Sequence, residues 1–259
     1  ISLEGFKQQD KQARIPANVA IVLDKSGSMG GEKIQHAREA AIMAIQRLDE
    51  RDIVSVVSYD SRVQVVVPAT QVRNKQSIYN AIRRIHADGN TALFAGVSKG
   101  ANELRKFLSR NKVNRVILLS DGLANVGPQS AAELGQLGAS LAKEGISVTT
   151  IGLGLGYNED LMTQLAGFSD GNHAFVENPE DLASIFQYEF GDVLSVVAQG
   201  VNIEIHCQNG VKPLRLLGRE SEIMGNHITT RLNQLYSEQE KFVILEVEVP
   251  GQQAETELE

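Results

Sequence analysis

Hydrophobic and polar positions fall into two textures along this chain, with the change near residue 199. Before it, apolar runs alternate with stretches of helical period. The run Asn18-Val19-Ala20-Ile21-Val22-Leu23 stops at Asp24-Lys25-Ser26-Gly27-Ser28 and a Gly30-Gly31 pair, which reads as buried strand, loop and helix start. From Glu32 to Arg51, Ile34, Ala37, Ala41, Ile45 and Leu48 recur every three or four residues and mark one face of a long helix. Ile53 to Tyr59 and Arg62 to Val67 predict two strands of a hairpin turning at Asp60-Ser61. Helices are expected over 74–86, 94–110, 130–143, 159–167 and 179–198, and strands over 113–119, 148–153 and, at the sheet edge, 172–176. Strands alternating with helices predict an α/β fold: a doubly wound, mostly parallel sheet with helices on both faces.

Beyond residue 199 the period becomes two, in 201–207, parts of 211–217, 227–232 and 241–249. Asn209-Gly210 suits a hairpin turn between the first two of these runs, and Gly225-Asn226 a turn serving the next pair. This tail is a small β-rich unit with few residues for a core of its own, so Ile1 to Phe6 is expected to complete it. The resulting division is an N-terminal segment 1–15 that pairs with the tail, an α/β domain 16–198 inserted between the two, and a β-sandwich-like unit 199–259. Gln252 to Glu259 reads as a disordered acidic end.

Composition narrows the function classes. Of 259 residues 42% are hydrophobic and 22% charged, and no apolar run reaches the roughly 20 residues of a membrane span. The net charge of −7, with scattered basic residues, argues against a nucleic-acid backbone as partner. The single Cys207 excludes an internal disulfide and a cysteine zinc cluster, and is expected to be a buried small hydrophobe. The chain begins at Ile1 without a methionine, so a leader or anchor outside it is left open, and localisation with it.

The candidate chemistry lies in three segments. Asp24-x-Ser26-x-Ser28 follows the first strand, where loops of open α/β sheets form ligand crevices. Thr91 closes the loop Asp88-Gly89-Asn90-Thr91, and Asp121 follows a second apolar strand directly. Two carboxylates and three hydroxyls are hard oxygen donors, suited to Mg2+ (or Mn2+ or Ca2+) and unlike the nitrogen and sulfur preferred by Zn2+. Two negative charges balance one divalent ion, which keeps room for a further anionic oxygen from outside. The alternative for Asp-x-Ser-x-Ser alone is a helix N-cap cluster.

At these positions, with Val22-Leu23-Asp24-Lys25-Ser26-Gly27-Ser28-Met29, Gly89-Asn90-Thr91 and Leu119-Ser120-Asp121-Gly122-Leu123-Ala124-Asn125-Val126-Gly127, residues 16–198 resemble the von Willebrand factor A (VWA) family. The wording is similar to bacterial members related to calcium-activated chloride channels and inter-alpha-trypsin inhibitor heavy chains. The resemblance implies a Rossmann-like fold and a metal-ion-dependent adhesion site (MIDAS) that binds a partner and does not catalyse. It further implies that Ser26 and Ser28 coordinate the metal directly. Asp24, Thr91 and Asp121 would exchange between direct and water-bridged contact as a partner protein offers an Asp or Glu carboxylate. In some members a C-terminal helix shift accompanies engagement; nothing in 179–198 identifies such a switch.

Other motifs weigh less. Gly152-Leu153-Gly154-Leu155-Gly156 lacks the third glycine of a dinucleotide fingerprint and reads as a tight turn beside the site. Gly96-Val97-Ser98-Lys99-Gly100 imitates a nucleophile elbow, with Asp121 and His173 in hydrolase order, but Ser98 is expected inside a helix. Asp60 and Asp88 are weighed as a second cation site. Each histidine, His86, His173, His206 and His227 among them, reads as isolated, with a structural or surface role. The functional expectation is therefore a metal-dependent protein-binding module, extracytoplasmic or on a cell surface by virtue of its β unit. The alternative is a cytoplasmic subunit docking on an ATPase or chelatase ring through the same metal.

Overall fold

The computed structural model describes residues 1–7 and 14–251; the acidic end 252–259 lies outside them. Its centre is a six-stranded sheet of β2 (Ala17–Asp24), β3 (Ile53–Tyr59), β4 (Val63–Gln71), β5 (Val113–Ser120), β6 (Ile146–Leu153) and β7 (His173–Val176), in the order β4-β3-β2-β5-β6-β7. β2 pairs in parallel with both β3 and β5, β5 with β6 and β6 with β7; only β4 is antiparallel. Every residue of β2, β3, β5 and β6 is buried, because helices cover both faces of a parallel sheet.

One face carries α1 (Glu32–Gln46), α2 (Lys75–Ile82) and α6 (Leu182–Leu194), through Ala37, Ile45, Ile82, Phe186 and Phe190. The other carries α3 (Leu93–Arg105), α4 (Ala131–Lys143) and α5 (Glu159–Phe168), through Val97, Leu104, Leu134, Leu141 and Leu165. Local signals set the helix starts. Gly31 at φ 74° turns the chain into α1, Asn74 accepts from Ser77 N at 3.1 Å ahead of α2, and Ser130 and Glu133 form a capping box on α4.

The tail folds as three small antiparallel sheets. β8 (Val196–His206) pairs with β11 (His227–Tyr236), which also takes β10 (Glu222–Met224); β9 (Lys212–Leu216) pairs with β13 (Leu245–Glu248). β1 (Ser2–Glu4) pairs with β12 (Glu240–Phe242), so the start of the chain is stitched into its end. Ile203, Leu216, Ile228, Leu232, Leu235 and Val243 form the small core, and Cys207 is buried.

Three expectations are corrected. β4 does not stop at Val67 but runs through Pro68 to Gln71, because it is an edge strand and the ladder shifts register between Val54 and Val56 opposite the proline. The helix expected over 179–198 begins as a 3-10 turn at Pro179–Asp181 and ends at Leu194, and β8 begins at Val196, which stays in the core as the chain changes from helix to strand. Asn209-Gly210 is a turn, with φ of 52° and 79°, but not a hairpin: it carries the chain from β8 to a strand of another sheet.

Candidate metal site

The parallel strands leave a crevice where strand order reverses, between the carboxyl ends of β2 and β5. Asp24 is the last residue of β2 and Asp121 follows the last residue of β5. Asp24 lies at the bottom, fully buried, with Oδ1 accepting from Ser26 N at 2.8 Å and Oδ2 from Ser120 Oγ at 2.6 Å. Ser26 Oγ is 3.1 Å from Ser28 Oγ, which donates to Asp121 Oδ1 at 2.7 Å.

The loop carrying Thr91 is tied to the first by Gly27 N donating to Gly89 O at 2.9 Å, and to the third by Thr91 N donating to Asn125 Oδ1 at 2.8 Å. A Cβ on Gly122 would stand 3.4 Å from both Ser28 Oγ and Thr91 Oγ1, so those hydroxyls converge on the glycine's bare face. Gly89, at φ 75°, is needed for the same close approach: a Cβ there would meet Ser61 Oγ at 3.0 Å.

All five residues singled out in the sequence thus come together. Asp24, Ser26, Thr91 and Asp121 are buried while Ser28 is exposed, which makes a cup with one open lip. Burial raises the Asp24 carboxyl above its ordinary value, opposed by the hydrogen bonds from Ser120 and Ser26 and reinforced by the charge of Asp121. Two buried carboxylates facing each other across hydroxyls favour a cation between them, and the all-oxygen set fits a hard divalent ion.

Sequence reasoning missed the residues that hold this cup. Ser120 and Asn125 lay within the quoted motif, whereas Lys33 gave no signal: from the first turn of α1 its ammonium reaches Asp121 Oδ2 at 2.5 Å. Asp60 is engaged by the Lys25 ammonium and accepts from Arg62 N at 2.7 Å, which accounts for its charge without a second cation. Of the glycine-rich segment, Gly152 and Leu153 close β6 and residues 154–156 turn beside the site, with Gly156 against Asp121 O and Gly154 at φ 71°.

Ser98 lies within α3, as expected. Both nitrogens of His173 are engaged elsewhere, Nδ1 with Thr150 Oγ1 at 2.9 Å and Nε2 with Tyr157 OH at 3.1 Å, and Asp121 bonds Ser28 and Lys33. The histidines are not all isolated. His206 and His227, 21 residues apart, stand side by side with Nδ1 and Nε2 separated by 3.0 Å.

A sheet of this order with three such loops at its switch point defines an α/β module with a candidate metal site, and comparison places it: the family model for the von Willebrand factor type A domain matches residues 18–188, and the chain belongs to that family. Among curated proteins it is 30% identical over 260 residues to the Synechocystis protein sll0103, covering 95% of this chain and 61% of that one. It is 24% identical over 199 residues to human inter-alpha-trypsin inhibitor heavy chain H3, covering 73% of this chain and 22% of that one. The chain spans less than two thirds of either relative.

Among solved structures, a von Willebrand factor type A protein from Catenulispora acidiphila superposes with a TM-score of 0.75 at 18% identity, over 87% of this chain and 56% of that one. Proximal thread matrix protein 1 of the mussel byssus, solved with a zinc-occupied MIDAS motif, has a TM-score of 0.57 at 20% identity, over 73% of this chain and 47% of that one. These likenesses establish the fold. No helix among the described residues is long and apolar enough to cross a membrane.

Proposed function

We propose that this chain is a non-catalytic capture module in which Asp24, Ser26, Ser28, Thr91 and Asp121 hold one Mg2+ ion, and the ion grips an Asp or Glu carboxylate of a partner protein. The observation that carries the reading is the cup itself: five oxygen-bearing side chains converging at the switch point, with Ser28 alone at an open lip. A bound divalent ion supplies an electrophilic position to which an external carboxylate can add. The protein's own part is to fix the donors. Ser120 and the Ser26 amide pin Asp24, Asn125 pins the Thr91 backbone, and Gly122 leaves the hydroxyls uncovered.

The rim supports a protein partner. Leu123, two residues past Asp121, and Leu155, in the turn against Asp121 O, are 58% and 86% exposed. Apolar side chains beside a charge-reading centre are what a protein surface can cover and a free small acid cannot. Relatives such as the inter-alpha-trypsin inhibitor heavy chains and the attached β unit favour a place outside the cytoplasm.

The test is isothermal titration of the EDTA-stripped chain with Mg2+ beside a Ser26→Ala/Ser28→Ala variant. One-site binding that disappears in the variant is expected; equal binding in both proteins would remove the site. A Mg2+-loaded chain should then retain Glu-bearing peptides over their Gln counterparts, and Asp121→Ala should lose that retention with the fold intact by circular dichroism. Full retention by Asp121→Ala would end the metal-mediated reading.

A further inference from the structure

Away from the oxygen cup, two imidazoles of the β unit stand side by side. His206 ends β8 and His227 opens β11, and the two are direct cross-strand partners. Next along the strands, Cys207 N donates to Asn226 O at 2.9 Å, and Asn226 Nδ2 donates back to Cys207 O at 2.8 Å. That hydrogen-bonded pair makes its neighbour a non-hydrogen-bonded one, the position where facing side chains approach most closely. The imidazole centroids lie 3.9 Å apart with planes at 59°, and both rings are exposed. The row continues onto β10, where Met224 pairs with His227 across the two-residue turn Gly225-Asn226, with Gly225 at φ 65°, and is 72% exposed. One step along the same face, Glu204 and Glu222 flank Thr229 as its partners on either side.

Side by side, two neutral imidazoles share a single N–H···N bond. A cation between them would use both lone pairs, and the spacing suits one. Two nitrogens at cis positions of a tetragonal ion with bonds of roughly 2.0–2.1 Å stand about 2.9 Å apart, and those of a tetrahedral ion about 3.3 Å. The observed separation is 3.0 Å. We propose that His206 and His227 form a second metal site, selective for Cu2+ over hard cations, with the Met224 thioether as a softer neighbour.

Imidazole ranks Cu2+ above Zn2+ and leaves Mg2+ to oxygen donors, so the two sites of this chain would not compete for the same ion. The exposed carboxylates of Glu204 and Glu222 add a negative field that draws cations to this face. No cluster of three His, Cys, Asp or Glu side chains exists among the described residues. Two protein ligands therefore leave coordination positions open, which makes the ion exchangeable and able to accept a donor from outside. The pair sits at the end of the β8 ladder opposite Val196, where the strand leaves α6. At about 3.3 Å per residue that is on the order of 30 Å along the strand from Val196.

The whole chain, stripped of metal, should be titrated with Cu2+ by calorimetry and by electron paramagnetic resonance, beside His206→Gln, His227→Gln and the double variant. One Cu2+ with two nitrogen ligands is expected. Each single variant should bind at least tenfold more weakly, while retaining whatever Mg2+ affinity the intact chain has; the Ser26→Ala/Ser28→Ala variant should keep its Cu2+. Exposed positions keep the fold, and circular dichroism checks that they do. Intact protein that binds Cu2+ no better than the double variant would overturn the site. Single variants as tight as the intact chain would overturn it equally, because one ring and not the pair would then be the ligand.

Discussion

The two ends of the central sheet bury polar side chains in opposite ways. At the carboxyl ends of β2 and β5, Asp24, Ser26, Ser28 and Asp121 bond one another through loops, and one member of the set faces solvent. At the amino ends of β5 and β6, Arg115 is fully buried and reaches Thr149 Oγ1 at 3.1 Å and the side chains of Gln234 and Tyr236. Both of those last residues belong to β11, so the guanidinium bolts the β unit to the α/β body. Around it Asp170 accepts from Asn233 N at 2.6 Å and pairs with Lys241 at 2.8 Å, while Gln239 donates to Asp192 at 2.7 Å. Side chains of the β unit occupy the amino end, whereas the donors of the carboxyl end bond one another, Ser120 and Asn125 of the neighbouring loops, and Lys33. A buried polar cluster becomes a binding site when its loops are short and local, and a joint when a distant strand fills it.

Breaking the joint should have the largest effect. Arg115→Ala takes the donor from the Tyr236 hydroxyl and Gln234 and removes a buried cation near the carboxyls of Glu189 and Asp192. Removing one member of such a buried charged set costs about 3–5 kcal/mol. Denaturant unfolding should show that loss, with Mg2+ affinity measured on the still-folded fraction unchanged. Arg115→Met, which refills the volume, should lose less, because burying the guanidinium is itself costly and its Nε makes no hydrogen bond. An Arg115→Ala variant as stable as the parent would show that the β unit is held without the guanidinium, by apolar contact and the bonds of Asp170 and Asp192.

A smaller effect at the other end probes why that end is open. Lys33 places a tethered positive charge on Asp121, one of the proposed metal ligands, and its side chain is 34% exposed. Removing it should make the cup more attractive to a cation, but an ion pair this accessible is worth at most about 1 kcal/mol. Lys33→Met is therefore expected to tighten Mg2+ binding by up to about fivefold in calorimetry at low salt, with the gain shrinking as salt is added. Weaker binding in Lys33→Met would mean that the lysine supports the loaded site and does not compete with the ion.

The difference between the ends also governs what could be read from sequence. Asp24, Ser26, Ser28, Thr91 and Asp121 stand at fixed offsets from apolar runs, so the topology that reverses at β2 brings them together without any long-range choice of partner. The helices and parallel strands were legible for the same reason. Arg115 was not, because its significance depends on Tyr236 and Gln234, 121 and 119 residues away. Strand pairing in the tail failed likewise: a period of two marks β9 as a strand but does not say that its partner is β13. His206 and His227 looked isolated because cross-strand neighbours share no sequence spacing, and the β8 boundary was hidden because Val193 and Val196 continue an apolar texture through the change from helix to strand.

The smallest effect is a pH dependence confined to the joint. Glu189 and Asp192 both have their carboxyls raised, chiefly by burial, with hydrogen bonds from Asn172 and Gln239 and the charge of Arg115 pulling the other way. For a carboxyl raised in the folded state, the unfolded chain releases its proton first. Its stabilising contribution is therefore fully present below the unfolded value and is lost as pH rises through the folded one. The joint should then weaken as pH rises from the ordinary carboxylate range toward neutrality, opposite in sign to the Arg14–Asp49 pair, where Asp49 is lowered to about 2 chiefly by its bond from Arg51 and gives stability that persists until strong acid. Glu189→Gln keeps an acceptor for Asn172 and removes the titration, so its unfolding free energy should fall less with pH across that window than the parent's. The change should stay below the Arg115→Ala loss, because Arg115 already offsets part of the burial cost. Parallel pH profiles in the two proteins would assign the slope to Asp192 or to surface groups, and would leave Glu189 as a packing residue of α6.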